Sequence, residues 1–225
     1  MTEDFSAYTM KQKCLPTYIV IDASTSMTPH QTTLNNTLAK LHGTLAMSPR
    51  VSEFAHISVI AFSTNAHLVI PMTEMDQIPG LPDIVCNGET RYGEAFDLVR
   101  SQIDIDVDNL VAQQRAVLRP AVFFLTDGAP TDKSWEQSFR HLVDRSWKRR
   151  PHVITYGFGG APSNVMAKVS TKAAFVAEGG IDQEAALAEA INSLLNSLVQ
   201  SSLAETMQIP SQAAGYISIT PEYMD

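Results

Sequence analysis

Three separated segments carry oxygen-bearing side chains of the kind that hold a hard divalent cation. They are Asp22-Ala23-Ser24-Thr25-Ser26, Thr90, and Asp127 within Leu125-Thr126-Asp127-Gly128. A magnesium-sized ion takes six oxygens at roughly 2.0–2.1 Å and gives up its waters reluctantly. The hydroxyls of Ser24, Ser26 and Thr90 can supply neutral oxygens, and the two-residue spacing of the serines lets one tight turn aim both at a single ion. Asp22 and Asp127 add charge, either directly or through bound water. If both carboxylates stay behind water, the ion keeps a position that an incoming carboxylate can complete. Such a site docks something; it is not a closed structural site. Taken singly, each segment also fits a plainer use. Asp22, Ser24 and Ser26 are common helix-capping residues, Asp127-Gly128 is a common turn, and Thr90 alone says almost nothing.

These residues need elements that bring them together. Tyr18-Ile19-Val20-Ile21 and Val122-Phe123-Phe124-Leu125 have the length and the β-branched or aromatic content of buried strands, and each run leads into an aspartate. Around them strands and helices alternate. A strand near 17–22 leads to a helix from about 30 to 47, with Leu34, Leu38, Leu41 and Leu45 on one face. Runs at 57–62 and 68–70 with a short connection predict a hairpin and one antiparallel edge strand. After Thr90 comes a helix with Phe96, Val99 and Ile103 inward, then a longer connection to the strand that ends near Asp127. A helix over 134–148 follows, opened by a capping-box pattern, Ser134-Trp135-Glu136-Gln137. Next are a strand at 153–156, a short helix near 163–170, a strand at 173–176, and a long helix with Leu187, Ile191, Leu194 and Leu198 inward. The expected fold is α/β: a doubly wound, Rossmann-like, mostly parallel sheet with one antiparallel edge strand and helices on both faces. Residues 1–15 read as an N-terminal tail, 16–204 as the domain, and 205–225 as an extended C-terminal tail that can pack on it.

Composition narrows the function classes. With 225 residues and a formal charge of -8, the chain can bury one α/β core but offers no basic face for nucleic acid. The one basic cluster, Arg145, Lys148, Arg149 and Arg150, reads as a solvated helix end. Cys14 and Cys86 form no metal-binding pair and fit a reducing compartment. No apolar stretch approaches the roughly 20 residues that span a bilayer, and the acidic N-terminus lacks the parts of a secretion signal. The expectation is a cytoplasmic location, with no membrane and no nucleic acid as partner.

The residues of the cation cluster also carry a resemblance. Asp22-x-Ser24-x-Ser26, the distant Thr90, and Asp127-Gly128 after a strand resemble the metal-ion-dependent adhesion site (MIDAS) of von Willebrand factor type A domains, over residues 16 to about 204. Thr25 stands where these domains often have glycine, and Glu89 precedes Thr90 where a small residue is frequent. Leu15-Pro16-Thr17-Tyr18 and the stretch Phe124 to Asp132 are similar to bacterial cytoplasmic members associated with tellurite-resistance clusters. The resemblance implies an adaptor or scaffold that binds Mg²⁺ or Mn²⁺. Its protein partner would donate an aspartate or glutamate, with a rim formed by loops around 27–30, 64–67, 87–93 and 128–132. It implies a place in a bacterial cytoplasmic complex answering metal or chemical stress. An accessory subunit of an ATPase- or chelatase-type complex is the first alternative, and a metal-dependent phosphohydrolase using the same cation is the second.

Other chemistries lack their parts. Asp104-Ile105-Asp106-Val107-Asp108 begins like a calcium loop, but Asn109 and Arg115 stand where glycine and glutamate are required, so it reads as a solvated acidic connection. A phosphatase of the haloacid-dehalogenase type needs a second aspartate where Ser24 stands. The phosphate-binding G-x-x-x-x-G-K-[ST], the hydrolase G-x-S-x-G and the zinc-binding H-E-x-x-H patterns do not occur. His30 reads as a surface residue at a helix start, and Gly157-Phe158-Gly159-Gly160 as a flexible loop. A non-enzymatic role is expected.

Overall fold

The computed structural model describes residues 11–223. Its centre is β1 (Lys13–Asp22), a strand buried along nearly its whole length because both of its faces are covered. Ile19 and Ile21 point to one core while Tyr18 and Val20 point to the other. β2 (Ala55–Phe62) and β5 (Ala121–Thr126) flank it in parallel, and the short β4 (Ala116–Val117) pairs with its start. β3 (Ala66–Thr73) forms an antiparallel hairpin with β2 and makes one edge. Beyond β5 lie β6 (His152–Gly157) and β7 (Ala173–Ala177), both parallel. The order is β3-β2-β1-β5-β6-β7-β8, where β8 (Tyr216–Ile219) comes from the C-terminal segment and pairs antiparallel with β7. The mixed, mostly parallel sheet expected from the sequence is therefore present, and the tail supplies a second antiparallel edge.

One face is covered by α1 (Gln31–Ala46), α2 (Pro49–Phe54) and α6 (Gln183–Ala204). The four leucines of α1 and the inward Leu187, Ile191, Leu194 and Leu198 of α6 are all buried there. α3 (Tyr92–Ala112), α4 (Trp135–Leu142) and α5 (Ser163–Lys168) cover the other face. Tyr216 latches β8 inward: its hydroxyl donates to the Ala186 carbonyl at 2.8 Å, and its ring meets Tyr156 edge-on. β8 runs back toward the starting ends of the parallel strands, so Glu222 and Tyr223 lie away from the strand ends that carry Asp22 and Asp127. Residues 1–10 of the expected N-terminal tail, and Asp225, lie outside the described residues.

Three local expectations need correction. The acidic run 104–108 is not a solvated connection: α3 continues through it to Ala112. Asp106 falls on the face of Phe96, Val99, Ile103, Val107 and Leu110, is buried, and accepts a hydrogen bond from the Tyr18 hydroxyl at 2.9 Å. Burial pushes the Asp106 carboxyl up despite that bond. The helix predicted over 134–148 stops at Leu142, so the basic cluster sits on turns after it, and Arg149 reaches Asp104 (3.1 Å) and Asp108 of α3. The capping box does not form either. Ser134 occupies the cap position, but its hydroxyl lies 3.4 Å from Asp132 instead of bonding the helix it precedes.

Candidate metal centre

β1 and β5 lie side by side with Ile21 opposite Leu125, so the chain leaves both at the same end of the sheet. Successive strands extend outward from this pair in opposite directions, which makes the crevice above it the switch point of the sheet. Asp22 is the last residue of β1 and is fully buried; Asp127 follows the last residue of β5 and is 5% exposed.

The expected site residues converge here. The Ser26 hydroxyl donates to Asp127 Oδ1 at 2.8 Å, and Ser24 Oγ lies 3.1 Å from Ser26 Oγ. The Ser24 backbone N–H donates to Asp22 Oδ1 at 2.9 Å, which folds the turn that aims both serines the same way. Thr90 arrives from the loop before α3. A side-chain carbon added at Gly128 would lie 3.9 Å from the Thr90 hydroxyl and 4.0 Å from that of Ser26, so both hydroxyls border the space beside Gly128.

Backbone bonds hold the loops in register. Thr25 N–H donates to the Gly88 carbonyl at 3.0 Å, Asn87 N–H to Ala23 at 2.8 Å, and Arg91 N–H to Ser63 at 3.1 Å. Gly88 has a φ of +83° and presses against the Thr64 hydroxyl, a close approach that a side chain there would block. The two departures from the common family pattern have local uses. The Thr25 hydroxyl adds a second bond to Gly88 (3.0 Å), and Glu89 pairs with Arg91 at 2.7 Å.

Several residues around the site escaped the sequence reading. Thr126 donates to Asp22 Oδ2 at 2.6 Å. The buried Tyr92 hydroxyl donates to the Gly128 carbonyl at 2.7 Å and lies 3.2 Å from Thr126. Asp132 and Thr131 bind the start of α3. Thr131 and Asp132 stand out in the sequence only as polar residues after the turn Gly128-Ala129-Pro130, because the contacts depend on register between distant segments. His30 ends a 3-10 turn after the serines and is half-buried, its Nδ1 has no hydrogen-bond partner among the described residues, and a positive charge on it would favour ionised Asp127.

Burial dominates the electrostatics. It pushes the Asp22 carboxyl from 3.8 up to about 6, against the hydrogen bonds from Ser24 and Thr126 and helped by the neighbouring charge of Asp127. Asp127 is raised for the same first reason, opposed by the Ser26 hydroxyl. Cys86 beneath the loop is pushed up to about 11 by burial and by both carboxylates. Neither carboxylate forms an ion pair with lysine or arginine among the described residues.

The donor chemistry fits a hard cation. Two carboxylates and the Ser24 and Ser26 hydroxyls meet, with the Thr90 hydroxyl beside Gly128, a set that suits an oxygen-seeking ion such as Mg²⁺ or Mn²⁺. Among the described residues no group of three or more His, Cys, Asp or Glu is placed to hold a metal, so the hydroxyls are integral to any site here.

Fold and site together define an open α/β domain with an oxygen-donor cleft at its switch point. Residues 17–129, about half of the chain, match the family model of the von Willebrand factor type A domain, and the chain belongs to that family. Its fold is similar to that of proximal thread matrix protein 1 from the mussel byssus with a zinc-occupied MIDAS motif. That match has 17% identity and a TM-score of 0.61, and covers 84% of this chain and 48% of that one. A von Willebrand factor type A protein from Catenulispora acidiphila matches at 16% identity and TM-score 0.56, covering 83% and 43%. The ArnB paralog VWA2 from Sulfolobus acidocaldarius matches at 17% and 0.53, covering 83% and 46%. At these identities the likeness is one of fold, and the chain spans a little under half the length of those structures. No curated protein matches in sequence. Among the described residues no helix is long and apolar enough to cross a membrane.

Proposed function

We propose that the chain is a divalent-cation-dependent protein-docking domain, with Mg²⁺ or Mn²⁺ held by Ser24, Ser26 and Thr90 under the charge of Asp22 and Asp127. One observation carries this reading: two adjacent buried carboxylates, unpaired with lysine or arginine among the described residues, sit against a cluster of hydroxyls at the switch point. Buried charges are ordinarily paired or spent on a metal. When bound, the ion would supply a Lewis-acid position for one carboxylate oxygen of a partner's aspartate or glutamate. The chain's own residues do the rest. Asp22 and Ser24 shape the turn, Asp127 orients Ser26, and Tyr92 and Thr126 brace the two strand ends.

The role is non-enzymatic in this reading, since Ser24 stands where a phosphatase would need a second acid. The resemblance of residues 15–18 and 124–132 to tellurite-resistance-associated members supports an adaptor or scaffold in a bacterial cytoplasmic complex that answers metal or chemical stress. The zinc-occupied motif of the mussel protein supports the placement of a cation in this fold.

The test is capture of a partner by the purified chain from lysate of its native host, with Mg²⁺ or with excess EDTA, beside Asp127→Ala. A partner retained only by wild type with metal is expected, followed by loss of binding when the partner's contacting acid is replaced. Equal capture in all arms would move the interface elsewhere and defeat the reading.

A further inference from the structure

We infer that Asp132 is the residue that positions Thr90 for the cation, tying the Thr90 arm to the Asp127 arm. This inference rests on the docking reading above and deepens it. The first N–H groups of a helix have no partner inside it and are normally satisfied by a capping side chain. α3 has no such cap, because Arg91 stands at the cap position and makes no capping bond. Asp132 reaches in from another loop instead. Its Oδ1 accepts from Tyr92 N–H at 3.0 Å and its Oδ2 from Gly93 N–H at 3.1 Å. The neighbouring Thr131 adds two more bonds, N–H and hydroxyl both donating to the Thr90 carbonyl at 2.9 and 3.3 Å.

Residues 90–93 are thus strapped to 131–132, which lie four and five positions after Asp127 in the chain. Ser24 and Ser26 follow β1 closely, but Thr90 lies on no strand, and this strap joins the Arg91–Ser63 and Glu89–Thr64 bonds in holding its loop. A negative group at a helix N-terminus is favoured by the helix dipole, so the carboxylate is held where it is most stable. Gly93 makes the approach possible: a side-chain carbon there would lie 2.6 Å from Asp132 Oδ2. Asp132 itself is a positioning residue, its two oxygens taken up by the Tyr92 and Gly93 N–H groups.

The experiment is Mn²⁺ titration calorimetry on wild type, Asp132→Ala, Thr90→Ala, the double variant and Gly93→Ala, with melting temperatures in EDTA. Asp132→Ala is expected to weaken Mn²⁺ about tenfold, as loss of a partner that orients a ligand commonly does. Because Asp132 acts through Thr90, the double variant should bind within about twofold of Thr90→Ala alone. Gly93→Ala would place a carbon 2.6 Å from Asp132 Oδ2 and displace the carboxylate from both N–H groups, so it should weaken Mn²⁺ about as much as Asp132→Ala, with the gain in helix propensity offsetting part of the lost cap in the melting temperature. Additive losses in the double variant, or wild-type affinity in Gly93→Ala or Asp132→Ala, would overturn the inference while leaving the docking reading intact. Wild type that binds no Mn²⁺ would overturn both.

Discussion

Asp22→Asn should make the chain more stable without metal and unable to gain stability from it. The folded Asp22 carboxyl titrates at about 6 and an exposed one at 3.8. Between those values the folded state binds the extra proton, so stability is full below the lower value and falls as pH rises through the higher one. At 1.36 kcal/mol per pH unit the ionised side chain costs about 3 kcal/mol at neutral pH. Asparagine removes that cost and keeps the contacts: its oxygen can accept from Ser24 N–H. Its amide can donate to Thr126, whose hydroxyl also lies 3.4 Å from the Gly128 carbonyl. Metal-free Asp22→Asn should therefore melt up to about 10 °C above wild type at neutral pH. The gap should close as pH falls toward about 4. In Mn²⁺ at about 100 times its dissociation constant, wild type should gain about 2.7 kcal/mol and the variant almost nothing. Urea unfolding across this pH range, with EDTA or Mn²⁺, reads both effects. A variant less stable than wild type in EDTA at neutral pH, or a difference that does not vary with pH, would refute the reasoning.

Three further outcomes are expected. Ser26→Ala removes a hydroxyl donor and the 2.8 Å bond to Asp127, so Mn²⁺ affinity by calorimetry should fall at least about tenfold. Tyr92→Phe leaves the Gly128 carbonyl without its 2.7 Å donor and should cost about 1–3 kcal/mol in urea unfolding. Leu194→Ala, at a fully buried position on α6 far in sequence from the site, should cost about 2–5 kcal/mol while leaving Mn²⁺ affinity unchanged in the folded protein.

What the sequence revealed follows from which forces act locally. Tyr18-Ile19-Val20-Ile21 and Val122-Phe123-Phe124-Leu125 announce buried strands because parallel strands covered on both faces need continuous apolar runs, and the aspartates after them mark the strand ends. The leucines of α1 and α6 are legible for a similar reason, since helical spacing is a short-range signal. Thr90 has no such signal: its hydroxyl suits a cation, but it gains meaning only beside the two aspartate segments and the resemblance that they carry. Thr126, Tyr92 and Asp132 were missed because their bonds join residues 104, 36 and 40 positions apart. Such contacts exist only once register is set. The misreading of 104–108 has a different cause. Alternating aspartates look like a loop, yet Val99, Ile103, Val107 and Leu110 continue the helical face through them, and Asp106 is tolerated inside because Tyr18 meets it. Arg149 and Trp147 then satisfy Asp104 from the turns that replaced the expected end of the helix, with Trp147 Nε1 donating at 3.3 Å.

The most direct measurement is the anomalous diffraction of crystals soaked in Mn²⁺. The account expects a single strong peak within about 2.0–2.3 Å of the Ser24, Ser26 and Thr90 hydroxyl oxygens, with Asp22 and Asp127 on the ion or one water away. The peak should vanish in Asp127→Ala crystals. A peak elsewhere on the molecule, or none at saturating Mn²⁺ with these loops free of lattice contacts, would contradict it.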